Sequence, residues 1–249
     1  MIILKSLQEI EKIRKACLIV ADVLESICGM VRPGVTTQEL DEFAERFILA
    51  AGAKPAFKGY RGYPKTLCTS VNNEVIHGIP SQNAVLKEGD IVSIDVGTIV
   101  DGFYGDAAIT LPVGAIKPEA ERLMRVTEES LRRGIAQAQA GNRLYDISHA
   151  VQDYVESNGY SVVREFVGHG IGRSLHEDPQ LPNFGASGQG PRLKPGMVLA
   201  IEPMVNIGGS ATVTQEDNWT AVTADGSLSA HFEHTIAIMP DGPWILTKK

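Results

Sequence analysis

A long internal echo constrains this chain more than any other feature. Leu86-Lys87-Glu88-Gly89-Asp90-Ile91-Val92-Ser93-Ile94-Asp95 matches Leu193-Lys194-Pro195-Gly196-Met197-Val198-Leu199-Ala200-Ile201-Glu202, and each copy ends on an acidic residue. The same shift of 107 positions carries Gly34 onto Gly141 and Gly52 onto Gly159. Self-similarity at a fixed period marks a repeated structural unit. The expectation is one domain over 1–249, built from similar halves at about 1–116 and 117–249 with no linker. Each half gives helices and a β-hairpin, and the two bury their sheets together. A site at the junction would draw ligands from both halves, with Asp95 and Glu202 as equivalents facing each other.

Helix signals punctuate both halves. Ser6-Leu7-Gln8-Glu9 reads as a capping box, and Leu7, Ile10, Ile13, Cys17, Val20, Leu24 and Ile27 follow at three- and four-residue intervals. Thr36 with Glu39 opens a second helix to about Ala51, Pro118 a third to about Ala140, and a fourth covers about Leu144 to Ser157. β-rich runs cover Ile91 to Val100, Phe103 to Leu111, Met197 to Val205 and Phe232 to Met239.

Composition excludes several roles. A formal charge of -7 leaves no basic excess for phosphate backbones, so nucleic acid is not the expected ligand. Cys17, Cys28 and Cys68 are odd in number and form no CxxC pair, which argues against a disulfide framework and a thiolate zinc site. Cys17 and Cys28 read as small core hydrophobes. No signal-peptide pattern opens the chain and no long apolar run could span a bilayer, so a cytoplasmic protein without membrane contact is expected.

Chemistry concentrates in acidic residues placed on apolar strands. Asp101-Gly102 is a strong two-residue hairpin signal; with that turn, Val100 faces Phe103, Asp95 faces Ala108, and Asp106 lies diagonally from Asp95 on one face. Two solvated aspartates on an outer face would satisfy the spacing alone. Ile91, Val92, Ile94 and Val96, however, make the strand apolar on both faces, and a buried carboxylate needs a partner or a metal. Glu202 and Glu233 end or interrupt similar runs, MVLAIEP and HFEHTIAIM, with no lysine or arginine inside them. Four such carboxylates repel unless cations intervene, and oxygen ligands with one imidazole suit hard or borderline divalent ions.

The stretch EFVGHGIGRSLHEDP holds His169 and His176 among three glycines. It lacks the glycine order of a dinucleotide fingerprint. A lone histidine is commonly a satisfied structural residue, yet a second HGI, His77-Gly78-Ile79, precedes the Asp95 strand as the first precedes the Glu202 strand. Glycine on both sides is read here as room for the backbone to approach a ligand. His231 and Glu233 share one strand face, whereas His234 points away and is taken as structural. His149 reads as a surface residue.

Asp95, Asp106, His169, Glu202 and Glu233, in that order within GDIVSIDVG, DGFYGDAA, VGHGIGRSLHEDP, AIEPM and FEHT, resemble the methionine aminopeptidases of type I. The resemblance runs from about Ile10 to Leu246. Only 25 residues separate His176 from Glu202, too few for the helical insertion of type II, and neither a basic or zinc-finger extension nor a prolidase-type N-terminal domain is expected.

This resemblance implies an α+β pita-bread fold, two pseudo-two-fold halves with a curved, mainly antiparallel sheet covered by helices on one face. It implies two divalent ions, cobalt, iron, manganese or zinc. One would be held by Asp106, His169, Glu202 and Glu233, the other by Asp95, Asp106 and Glu233. A metal-bridged water would attack the scissile carbonyl, with Glu202 as base, His176 on the oxyanion and His77 beside the leaving amine. Tyr60, Tyr63, Cys68 and Trp219, with Phe57 and Leu175 nearby, would receive a methionine side chain, and thioether contacts with aromatics suit that role. Leu175 stands where many relatives have phenylalanine, and Phe57 and Lys58 occupy variable positions. Asn72 and Ser229 match positions that bind a monovalent cation in some relatives.

The implied partner is a nascent polypeptide N-terminus, met at the ribosome by a monomer. The implied reaction removes the initiator methionine before a small second residue. A pita-bread peptidase of Xaa-Pro specificity and a non-catalytic peptide-binding relative are the alternatives.

Overall fold

The computed structural model describes residues 1–249. The chain runs α1 (Leu7–Cys28), α2 (Thr37–Ala50), β1 (Lys54–Pro55), β2 (Leu67–Val71), β3 (Glu74–Ile76), β4 (Ile91–Val100) and β5 (Phe103–Pro112). It continues through α3 (Pro118–Gln137), α4 (Leu144–Ser157), β6 (Ser161–Val162), β7 (Gly168–Gly170), β8 (Glu177–Leu181), β9 (Val198–Ile201) and β10 (Met204–Asn206). The remainder is β11 (Thr212–Thr214), β12 (Ala221–Thr223), β13 (Ser229–His231), β14 (His234–Met239) and β15 (Gly242–Ile245).

The helix starts follow their local chemistry. Ser6 accepts from the Glu9 amide while the Glu9 carboxylate accepts from the Ser6 amide, and Thr36 with Glu39 repeats the device at α2. Two otherwise orphaned amide donors are satisfied at each end. From Ile10 to Ile27 the α1 stripe is buried against β4 and β5, each such side chain contributing about 1.5–3 kcal/mol. Leu7 and Cys28, at the two ends of the helix, are exposed because they lie outside the buried stripe, which runs from Ile10 to Ile27.

Each half has its own helix-on-sheet core. Val20, Leu24, Leu40 and Ile48 from α1 and α2 pack on Val92 and Ile94 of β4. Leu131, Ile135 and Ile147 from α3 and α4 pack on Leu199, Ile201 and Ile236. A third cluster joins the halves, setting Ile10, Ile13, Cys17 and Phe103 against Ile171, Val198, Ala237 and Leu246. All strand pairs are antiparallel, in sheets ordered β1-β4-β2 with β5 on β4, β13-β10-β6, β11-β12-β3 and β15-β14-β9-β7-β8.

The β4–β5 hairpin has the expected register, with Val100 opposite Phe103 and Asp95 opposite Ala108. Asp101 and Gly102 both take positive φ, 51° and 77°, as a two-residue turn requires. The second half departs from expectation. Met197 to Val205 is not one strand: Pro203, with no N–H for a ladder, separates β9 from β10, and the two join different sheets. Phe232 to Met239 is likewise broken before His234. β9 pairs with β7 on one side and β14 on the other, so the expected second hairpin is replaced by a pairing across residues 202–233. The third helix also stops at Gln137, before Ala140.

Register exposes the junction. Ile94 faces Ile109 in the first half, and its repeat mate Ile201 faces His234 in the second. On the partner strands the repeat shift is therefore 125, which matches Asp106 with His231, Ala108 with Glu233 and Thr110 with Thr235. Across the junction the Glu233 amide donates to the Ala108 carbonyl over 2.8 Å. Thr110 Oγ1 accepts from the His231 amide over 2.9 Å and donates to the His231 carbonyl over 2.8 Å. Thr235 Oγ1 does the same for Asp106, over 3.3 and 2.7 Å. Each half thus supplies one threonine that stands in for the missing ladder rungs of the other.

Candidate active site

A cavity of about 410 Å³ opens at this junction, with Asp95, Asp106, His169, Glu202 and Glu233 among the residues that line it. Asp95 projects from mid-β4 and Asp106 from the adjoining strand, as the hairpin register requires. His169 sits in β7, between β8 and β9. Its flanking glycines have a role different from the one expected. A Cβ on Gly168 would lie 2.5 Å from the Ala200 carbonyl oxygen, and one on Gly170 2.2 Å from that of Asp178, so the glycines let β7 fit between its neighbours. Glu202 follows β9 at the Pro203 break, its carbonyl held by Asn183 Nδ2 at 3.0 Å.

Ligand atoms of Asp106, His169 and Glu233 all lie within 4.8 Å of one another. His169 Nε2 is 3.5 Å from Glu202 Oε1 and 4.0 Å from Asp106 Oδ2. Asp106, His169 and Glu233 are at most 6% exposed, and Asp95 Oδ1, Asp106 Oδ1 and Glu233 Oε1 are covered with no hydrogen-bond partner. Burial, then mutual repulsion, holds the Asp106 carboxyl well above its ordinary range; Glu202 and Glu233 are raised for the same reasons. Burial pushes Asp95 up to about 7. No lysine lines the cavity, and its one arginine, Arg61, is exposed.

Orphaned carboxylate oxygens in this number are what a cation would satisfy, and the mixed oxygen and imidazole donors fit divalent ions. His169 is suited to the same end. Its Nδ1 lies 2.9 Å from the Gly170 carbonyl, which fixes the proton there and leaves the Nε2 lone pair facing the acids. Burial holds this ring's pKa down at about 3, so it stays neutral.

Above the acids, two further histidines line the cavity. His176 precedes β8; its Nδ1 is 2.9 Å from the Tyr60 hydroxyl and its ring centroid 4.3 Å from that of His169. His77 follows β3 with φ of 60°, edge-on to Phe166 and Trp219 at 5.7 and 6.2 Å. Burial lowers His77 to about 4 and lowers His176 as well. Trp219 is delivered by the β11–β12 hairpin, whose pairing of Ala221 with Ile76 sets it beside His77.

The apolar wall combines Phe57, Tyr63, Cys68, Leu175 and Trp219, with Tyr60 at its edge. Tyr63 and Trp219 stack edge-on at 5.1 Å, and Gly97 makes room for Phe57, whose ring would meet a Cβ at 2.7 Å. Burial raises the Cys68 thiol, which leaves it a contact group without thiolate character. Lys58 turns outward to pair with Glu45 at 2.6 Å. Asn72 and Ser229 adjoin, the Ser229 amide donating to the Asn72 carbonyl over 2.9 Å, but neither lines the cavity and the Asn72 side chain is engaged by Asp90 and the Ile91 amide.

His231, expected only to share a strand face with Glu233, approaches a different acid. It is buried, with Nε2 4.0 Å from Glu202 Oε2, whereas His234 turns away to Thr247 over 2.8 Å. Arg61, Ile76, Glu165, Phe166, Val167 and Gln180 also line the cavity and carry no sequence signal of their own. His149 is exposed.

Comparison with known proteins agrees with this architecture. The chain is 59% identical over 247 residues to the methionine aminopeptidase of Clostridium perfringens, covering 99% of each chain. It superposes on the crystal structure of methionine aminopeptidase from Thermotoga maritima with TM-score 0.99 at 50% identity, covering all of both chains. The prolidase of Pyrococcus horikoshii shares the pita-bread fold, with TM-score 0.80 at 24% identity, and this chain covers 99% of itself and 64% of that longer protein. The model of metallopeptidase family M24 matches residues 11–240. With its acid-floored junction and a family match over nearly its whole length, this chain belongs to metallopeptidase family M24.

Proposed function

We propose that the chain is a methionine aminopeptidase that removes the initiator methionine from nascent proteins and peptides with a small second residue, acting as a monomer in the cytoplasm. The observation that carries this reading is the cavity itself, in which an apolar, sulfur-tolerant wall ends on a cluster of unpaired carboxylates. Its size suits one side chain and the first peptide bond.

Asp106, His169, Glu202 and Glu233 would hold one divalent ion and Asp95, Asp106 and Glu233 a second, with cobalt, iron, manganese and zinc all compatible with the donors. Such ions supply Lewis acidity and make a water nucleophilic near neutral pH. Glu202, the more open of the carboxylates on the second half, takes up the proton released during attack. With the Tyr60 hydroxyl donating to its Nδ1, His176 carries its proton on Nε2 and offers it to the scissile carbonyl as negative charge develops there. His77 stands opposite, neutral and partly buried, to contact the scissile nitrogen. Phe57, Tyr63, Cys68, Leu175 and Trp219 enclose the thioether, and Tyr60 closes the edge.

The test is turnover of Met-Ala-Ser beside Ala-Pro, before and after chelation and metal return. Cleavage of the methionyl peptide that vanishes with chelation and returns with one of the four metals is expected. Preference for Ala-Pro would favour the Xaa-Pro reading, and inertness toward both with metal supplied would end the enzymatic one.

A further inference from the structure

We infer that His231 is a positioning residue for Glu202: with ions in the site, its Nε2–H donates to Glu202 Oε2 and fixes that carboxylate's direction. This rests on the proposed role of Glu202 as ligand and base.

Three observations carry it. His231 is 2% exposed, and its Nε2 is covered with no hydrogen-bond partner, a condition that buried polar atoms rarely sustain without one. The nearest acidic oxygen to that nitrogen is Glu202 Oε2 at 4.0 Å, while the other Glu202 oxygen faces His169 Nε2 at 3.5 Å. The carboxylate therefore stands between two imidazoles, one oxygen toward each. A modest turn of the side chain, as Oε1 settles on an ion shared with His169, brings Oε2 within hydrogen-bond reach.

The repeat supplies the third observation. His231 is the 125-residue counterpart of Asp106, as Glu202 is the 107-residue counterpart of Asp95. Asp106 lies diagonally from Asp95, opposite Gly97, and His231 lies diagonally from Glu202, opposite Met204, so His231 faces Glu202 by the same backbone geometry. Its own backbone leaves little freedom, since Thr110 holds both its amide and its carbonyl. A carboxylate in that place would add a fifth negative charge. An imidazole instead gives a donor, and ligating carboxylates are commonly held by such a hydrogen bond.

The test compares His231→Leu, His231→Gln and His231→Asn, the second keeping a donor within reach and the third keeping an amide that is too short. Steady-state kinetics on Met-Ala-Ser are paired with calorimetric titration of Mn²⁺ into metal-free protein. His231→Leu and His231→Asn should lose about 10–100-fold in kcat or in Mn²⁺ affinity with KM little changed, and His231→Gln should restore most of the loss. Wild-type kcat and Mn²⁺ affinity in His231→Leu, or a His231→Gln no better than His231→Asn, would overturn the assignment. If His231→Leu does not fold, the Gln and Asn pair decides. A wild type that cleaves no methionyl peptide would sink the functional reading, and the Mn²⁺ titration would still judge His231.

Discussion

The two halves share a backbone plan and differ in what they bring to the cavity. In the first, β4 and β5 are joined by Asp101-Gly102, pair over ten residues and contribute Asp95 and Asp106. In the second, β9 and β14 pair over four residues, with 202–233 between them, and the counterpart positions hold Glu202 and His231. Glu233, the additional acid of the second half, matches Ala108 of the first, and their backbones touch at the junction. The matching registers thus place side chains at equivalent positions, and the residue chosen at each makes the two halves chemically different.

That comparison is broken most severely at the acids the halves share. Asp106→Asn and Glu233→Gln, one from each half, should each lower metal-dependent turnover by more than about 100-fold, beyond what loss of an outer hydrogen bond does. Near-normal hydrolysis in either variant would mean that the two halves do not hold ions jointly.

Next comes His176, which the second half brings to the cavity. His176→Ala should lower kcat by roughly 100- to 1,000-fold, as removal of a donor to a developing oxyanion does. Metal content, measured by elemental analysis, should stay at the wild-type level; a variant that simply loses its ions would place His176 in their binding instead.

The smallest effects probe the symmetry directly. Thr110→Val and Thr235→Val each orphan a backbone amide and carbonyl on the opposite half, at about 1–3 kcal/mol per unsatisfied group. Urea unfolding should show similar losses in both, whereas Mn²⁺ affinity should fall further for Thr235→Val, because its partner Asp106 is a proposed ligand. Wild-type Mn²⁺ affinity in both variants would show that the threonine clasp serves stability alone.

Much of this was legible before any coordinates. The capping boxes at Ser6 and Thr36, the Asp101-Gly102 turn and the register placing Asp95 opposite Ala108 depend on residues close in sequence, and each is found. Asp95 drew attention because an acid inside an apolar strand contradicts its surroundings, and the same contradiction marked Glu202 and Glu233. The second half was less legible. Pro203 was a visible breaker, yet its consequence, a strand pair spanning 202–233, depends on where β10 and β13 find partners. Cys28 was expected in the core as a small hydrophobe and is exposed, since residue type does not tell that the buried stripe of α1 ends at Ile27.

By itself, the sequence determined the helix starts, the first hairpin and the identity of the acids, all set by local geometry and residue type. Only the tertiary structure decided that His231 faces Glu202, that Thr110 and Thr235 exchange bonds across the halves, and that the glycines around His169 make room for neighbouring strands. The reason is physical: contacts between separate strands leave no periodic trace, because they are selected by the shape into which the whole chain closes.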